Sequence, residues 1–142
     1  MMVHELAAIL REEHHRPDGD FFHGVDLEAY ADKLLQKAEL LVHYRGSEVL
    51  GIVAFYCNDV ETLCGYLSLM WVSPEARGSG FAHELLDAVI RIMESRRFRH
   101  LKLEVLAENH RAINFYRREG FEVTDANNGT LIMDLMLPRR QD

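Results

Sequence analysis

The stretch "WVSPEARGSGFAHELLDAVIRIM", Trp71 to Met93, changes character twice. An apolar run stops at Pro74, and the chain passes Arg77, Gly78, Ser79 and Gly80 with little side-chain bulk. Apolar residues then return at helical spacing from Leu85. Bare glycines between a strand end and a helix start have a chemical use. The first-turn amides of a helix have no partner within the helix, and the helix dipole adds partial positive charge there. Small residues let a phosphate approach that backbone. Gly78, Ser79, Gly80, Phe81, Ala82 and His83 would present such a row of donors, with Arg77 adding a full charge, and a pyrophosphate would fit. A plain tight turn uses the same glycines, so this stretch alone leaves both readings open. It lacks the G-x-G-x-x-G fingerprint and the Lys-Ser/Thr ending of a phosphate loop, which argues against NAD and ATP.

The elements that must position this turn follow from periodicity. "VHELAAILREEHH" carries Val3, Leu6, Ala7 and Leu10 at helical spacing and predicts an amphipathic helix. Pro17 and Gly19 break it. A second helix starts near Asp26, a good N-cap, and runs through "LEAYADKLLQKA". The period then becomes two. "ELLVHYRG" and "EVLGIVAFYCND" predict strands joined by a tight turn at Arg45-Gly46-Ser47, and "TLCGYLSLMWV" predicts a third, ended by Pro74. A helix from about Gly80 to Arg96 buries Leu85, Leu86, Val89, Ile90 and Met93. "HLKLEVLA" alternates, with Leu101, Leu103 and Val105 opposite Lys102 and Glu104. "NHRAINFYRRE" is a helix capped by Asn109 and closed by Gly120. "FEVT" and "TLIMDLML" form a hairpin around Asn127-Asn128-Gly129. Helices between strands make the class mixed α/β (α+β), with a largely antiparallel front half and a right-handed parallel crossover from Leu67 to Leu106. No repeat or low-complexity linker interrupts residues 1–142, which read as a single domain.

The second half of the pattern carries a resemblance. Val72-x-Pro74-x-x-Arg77-x-x-Gly80-x-Ala82 matches the Q/R-x-x-G-x-G/A signature of the GNAT superfamily of acyl-CoA N-acyltransferases. Asn109-x-x-Ala112-Ile113-x-Phe115-Tyr116-x-x-x-Gly120-Phe121 matches that superfamily's second segment, in the same order and spacing. The chain departs from the family where it opens directly with a helix instead of a strand. The resemblance implies a mostly antiparallel central sheet flanked by helices, with strands 66–72 and 101–106 splayed like a V around the pantetheine arm of acetyl-CoA. Backbone groups of Met70 and Val72 would pair with the pantetheine amides, as an added strand does. Trp71 lies between them, as a cofactor neighbour or a core residue. Gly78 to His83 would hold the pyrophosphate, Asn109 would help fix the arm, and Tyr116 would sit near the thioester sulfur.

The reaction so implied is direct attack of an amine on the thioester carbonyl, through a tetrahedral oxyanion that collapses to amide and thiolate. Tyr116 is the candidate general acid, since a phenol of pKa near 10 keeps its proton at neutral pH. The alternative is an amphipathic core tyrosine. Glu104 is the candidate base. A carboxylate between Leu103 and Val105 must be paired or wet, and "LEV" ahead of the Asn cluster resembles family members that acetylate protein N-termini. The alternative is an ion pair or a surface position. Acceptor contacts would come from Phe21, Phe22 and His23 and from the strand-end acids Asp59 and Glu61. The acceptor expected first is a small-molecule amine of amino-sugar, amino-acid or polyamine type, with a protein N-terminus as the variant. A non-catalytic acyl-CoA-binding module would not need an acid at the sulfur. A scaffold for interactions would not need Arg77 or the open glycines.

Bulk properties narrow the rest. Of 142 residues, 48% are hydrophobic and 27% charged, which is globular composition. A net charge of -7 disfavours nucleic acid as a partner, and "RRFRH" reads as the solvated end of a helix. Cys57 and Cys64 are too few for a disulfide scaffold and fit a reduced compartment as small strand hydrophobes. The eight histidines show no paired metal spacing, His14-His15 included, so no metal is expected. His4 and Glu5 interrupt any apolar leader, and no run approaches the ~20 residues of a membrane span. The expectation is a cytoplasmic protein with no membrane partner, monomer or homodimer, in which "TLIMDLML" is available to pair across a dimer.

Overall fold

The computed structural model describes residues 1–14 and 26–139. Pro17, Gly19, Phe21, Phe22 and His23 lie outside them. The chain divides into two compact units, Met1–Glu39 and Leu40–Asp142. The first is a helix pair. Helix α1 (Val3–His14) and α2 (Leu27–Lys37) pack on each other, with Leu6, Ala7, Leu10, Ala31 and Leu34 fully buried. Asp26 caps α2 as its residue type predicts, accepting from the Ala29 N–H at 3.2 Å. No strand precedes α1 among the described residues, in keeping with the helical opening read from the sequence.

The second unit is built on one six-stranded sheet. Its strands are β1 (Glu39–Arg45, whose first residue closes the other unit), β2 (Glu48–Tyr56), β3 (Cys64–Val72), β4 (His100–Leu106), β5 (Glu122–Asn127) and β6 (Thr130–Met136). Their spatial order is β1-β2-β3-β4-β6-β5. All described pairings are antiparallel except β3 with β4, which run parallel and are joined by helix α3 (Phe81–Ser95). Helix α4 (His110–Arg118) connects β4 to the β5–β6 hairpin. That hairpin turns at Asn128 (φ 51°) and Gly129 (φ 82°), the two left-handed residues that a two-residue turn needs to follow strand twist. Because β6 lies between β4 and β5, both its edges are used. "TLIMDLML" therefore has no free edge to pair across a dimer, which corrects the expectation above.

One apolar core joins the face of the sheet on which α3 and α4 pack. The α3 stripe Leu85, Leu86, Val89, Ile90 and Met93 meets Phe55, Leu101, Leu103, Val105, Met133 and Leu135, with Ile113, Tyr116 and Phe121. β4 alternates as predicted, so Lys102 and Glu104 look out from the opposite face. Helices α3 and α4 end in the same hydrogen-bond pattern. At α4, the Phe121 N–H reaches the Tyr116 carbonyl and the Gly120 N–H reaches Arg117, each at 3.0 Å, with Gly120 at φ 106°. This closing motif brings an apolar residue back onto the last turn, and here Phe121 packs edge-on to Tyr116 at 5.5 Å. At α3 the left-handed position is occupied by Arg97 (φ 62°), and Phe98 N–H bonds the Met93 carbonyl at 2.9 Å.

Replacing Gly120 tests this closure. A Cβ there would lie 3.1 Å from the Leu135 side chain, on a backbone that L side chains rarely adopt. Gly120→Ala is expected to lower stability by about 1–2 kcal/mol in denaturant unfolding, from left-handed strain alone.

Candidate functional site

The site begins where a parallel pair stops pairing. β3 and β4 are in register from Cys64 with His100 to Leu67 with Leu103, and no further. At the same point β3 carries a bulge, since Ala54 of β2 pairs with Leu69 and Phe55 with Leu67, leaving Ser68 extra. The extra residue flips the strand. Met70 and Val72 join Leu67 on the α3 side, while Leu69 and Trp71 are buried on the other. The Ser73 N–H bonds Leu50 of β2 at 2.8 Å, so by alternation the N–H and C=O groups of Met70 and Val72 point away from β2. They face the side that β4 has left. Trp71 presents its backbone to β2, not to that gap, and its side chain is a core residue.

The glycine turn closes the open end of the gap. After a 3₁₀ turn at Pro74–Ala76, Gly78 and Gly80 have φ of 82° and 89°, and a Cβ on either would meet nothing within 4 Å. These glycines are therefore required by the backbone, and the space above them is empty of protein. Gly80 caps α3 with no side-chain hydrogen bond, so the amides of Phe81, Ala82 and His83 open the helix without a capping side chain. Ser79 turns its hydroxyl inward to the Ala76 carbonyl. Arg77 folds back, its Nε donating to the Val72 carbonyl at 3.2 Å, which ties the turn to the strand end and keeps a guanidinium beside it. On the β1–β2 side of the turn lies a cavity of about 370 Å³, walled by His43, Tyr44, Arg45, Leu50 and Glu75 and by Ala76, Ser79 and Phe81 of the turn itself. The ring of His43 packs on Phe81 there, with centroids 4.5 Å apart, and so braces the first residue of α3.

The second motif folds as a capped helix. Asn109 accepts from the Ala112 N–H at 3.2 Å, so its oxygen serves the helix start and its amide nitrogen is left for other work. Tyr116 is buried, edge-on to Phe115 and Phe121, and burial pushes its phenol well above the usual range. Glu104 is exposed and lies on the opposite face of β4 from the core that holds Tyr116. The two candidates are thus not a hydrogen-bonded pair, and a ligand touching both must thread the gap between β3 and β4. Asp59 stands apart. It sits before Cys64, at the paired end of β3, roughly 25 Å of strand from the glycine turn. Its Oδ1 accepts from the N–H groups of Glu61 and Thr62, and hydrogen bonds from Thr62 hold its carboxyl below the usual range. The physical reason is local: an aspartate at a turn binds the backbone ahead of it. Cys57 is buried, Cys64 is half-buried with its thiol pushed up by burial, and neither is in a disulfide. Among the described residues no three His, Cys, Asp or Glu side chains are grouped to hold a metal ion, and no helix is long and apolar enough to cross a membrane.

Sequence reading missed the bulge at Ser68 and the partner of His83. The first has a signal in retrospect: Leu69, Met70, Trp71 and Val72 are all apolar, so both faces of that strand end must be covered. The second, Glu119, lies 36 positions away and has none.

Comparison with known proteins decides the family. The acetyltransferase (GNAT) family model matches residues 3–121. The chain belongs to the GNAT acetyltransferase family. This GNAT chain is 38% identical over 94 residues to the peptidyl-lysine N-acetyltransferase YiaC of Escherichia coli, across 66% of the chain and 57% of that protein. It is 37% identical over 60 residues to N-alpha-acetyltransferase 30 of Schizosaccharomyces pombe, across 42% of the chain and 40% of that protein. It thus spans less than two thirds of the length of these curated relatives. The PaiA N-acetyltransferase from Thermoplasma acidophilum, solved in complex with coenzyme A, shares the GNAT fold with a TM-score of 0.76. Identity there is 18%, over 96% of this chain and 95% of that one.

The raised Tyr116 phenol has a readable sign. Above pH about 10 the unfolded chain releases a proton that the native state keeps, so stability falls as pH rises. Tyr116→Phe should remove that slope in unfolding measured across the alkaline range. It should also delete the last phenol to ionise in a spectrophotometric titration.

Proposed function

We propose that this chain is an acetyl-CoA-dependent N-acetyltransferase acting on a primary amine. The observation that carries this reading is the continuity between the edge of β3 that β4 leaves beyond Leu67 and the open glycine turn. An extended arm bearing amides and ending in a pyrophosphate matches both in order. Met70 and Val72 bind the arm as an added strand, Gly78 to His83 cradle the pyrophosphate, Arg77 adds charge, and the amide nitrogen of Asn109 steadies the arm. Acetyl-CoA supplies the acetyl group as a thioester, whose carbonyl the amine attacks directly.

The chain's own groups manage position and protons. Tyr116, kept protonated by burial, donates to the departing sulfur. Glu104, exposed to water, takes the amine proton directly or through a water molecule. Its task has a size. Deprotonating a lysine-type amine at pH 7 costs about 4.6 kcal/mol and an α-amine about 1 kcal/mol. A single wet carboxylate suits an amine of low pKa. The acceptor we favour is a small-molecule amine. A second reading, with a peptide amine as acceptor, is supported by two of the relatives, a peptidyl-lysine N-acetyltransferase and an N-alpha-acetyltransferase.

Calorimetric titration with acetyl-CoA, repeated on Gly80→Glu, tests the reading. A Cβ at Gly80 meets open space but stands on a left-handed backbone, so the variant is expected to fold with a loss of about 1–2 kcal/mol, checked by its unfolding curve, and to lose binding. Thiol release against a panel of small amines and of peptides then separates the two acceptor classes. Tyr116→Phe should keep acetyl-CoA affinity and slow turnover by about 10²-fold or more. An unchanged rate would sink the acid assignment, and an unchanged pH–rate profile in Glu104→Gln would remove the base.

A further inference from the structure

His83, the third residue of α3, has a side chain 57% exposed, yet its ring is held. Its Nδ1 lies 2.7 Å from Oε1 of Glu119, which caps the C-terminus of α4 and is only 12% exposed. The same oxygen lies 3.5 Å from the guanidinium of Arg139. Arg139 is itself anchored twice on α3, by its side chain to Asp87 and by its N–H to Glu94 at 2.7 Å. Asp87 also takes Arg91 at 3.0 Å. Alternating charges thus run from the chain after β6 through α4 and end on an imidazole in the first turn of α3. A carboxylate oxygen only accepts, so Nδ1 is the nitrogen that carries the proton, and Nε2 is the end left over. In a neutral ring Nε2 is a lone pair, which repels a phosphate oxygen. In the imidazolium it is a donor.

We propose that Glu119 is a positioning residue that, held by Arg139, fixes His83 so that binding of a pyrophosphate diester at the turn draws a proton from solvent onto Nε2. The new N–H then donates to a phosphate oxygen, and the proton returns to solvent when the ligand leaves. The charged groups concerned are Glu119 from α4, Arg139 behind it, and Glu84 and Asp87 on His83's own helix. The proposal rests on reading this turn as a pyrophosphate site.

The test uses dephospho-CoA, which carries the pyrophosphate and no titrating phosphate monoester, against pantetheine, which lacks both. Binding is measured by calorimetry at neutral pH in two buffers of different ionisation enthalpy, on the full chain and on Glu119→Gln and His83→Ala. The full chain should take up protons with dephospho-CoA and not with pantetheine. Both variants should bind dephospho-CoA about fivefold more weakly with the uptake lost, as expected for a charge-assisted hydrogen bond on a half-exposed group, and bind pantetheine as before. If both ligands weaken alike, Glu119 is only a brace between helices and the proposal fails. If the advantage of dephospho-CoA and its proton uptake persist in both variants, the roles of His83 and Glu119 are both overturned and the pyrophosphate reading stands without them. If the full chain binds dephospho-CoA no better than pantetheine, the pyrophosphate reading falls and takes the proposal with it.

Discussion

Backbone polar groups need partners, and this structure leaves a row of them without a strand. Parallel pairing between β3 and β4 ends at Leu67 and Leu103, although both strands continue. Each N–H or C=O kept from water without a partner costs about 1–3 kcal/mol. An edge like this persists because it stays accessible, and it becomes a template for any extended chain with amides of its own. Ser68 is the mechanical cause. One extra residue in β3 turns the strand away from β4 and exchanges the faces of Leu69 to Val72, so the divergence is built into the sheet.

Helix termini do the rest of the positioning. Gly80 lets α3 start without a capping side chain, which preserves first-turn amides that a Ser or Asp would occupy. α4 is treated in the opposite way. Asn109 supplies a side-chain cap, a contribution of about 1 kcal/mol, and the Gly120 closure folds Phe121 onto the last turn. Tyr116 is thereby wedged between Phe115 and Phe121, and its ring orientation follows from how the helix ends. One helix is left uncapped where an anion can bind. The other is capped at both ends, where a side chain must not move.

The division of β4 into two faces separates the two proposed protonic tasks. Leu103 and Val105 belong to the dry core that keeps the Tyr116 phenol protonated, while Glu104 between them is wet. A pleated strand with period two places an acid and a carboxylate on opposite sides of one gap without letting them neutralise each other.

Much of this was legible from local chemistry. Asp26, Asn109 and Gly120 mark helix ends because capping is decided by a few neighbouring residues. The alternation of Leu101, Leu103 and Val105 shows which side of β4 is buried because strand geometry has a fixed period. Gly78 and Gly80 were readable as a turn, with the positive φ that only glycine adopts freely. The register of β3 against β2 and β4 was not legible, because pairing joins residues far apart in sequence and one bulge shifts every face beyond it. For the same reason Asp59 looked available as a substrate acid, and the structure sets it at the far end of the sheet, serving its own turn. Likewise His83 carried no sign of Glu119 or Arg139, since an ion pair between helices depends only on how they pack. The sequence by itself determined the elements, their caps and the family, because these rest on short-range sterics and spacing. Only the tertiary structure decided where the sheet opens, which face each side chain takes and which charges meet, because those depend on strand register and helix packing.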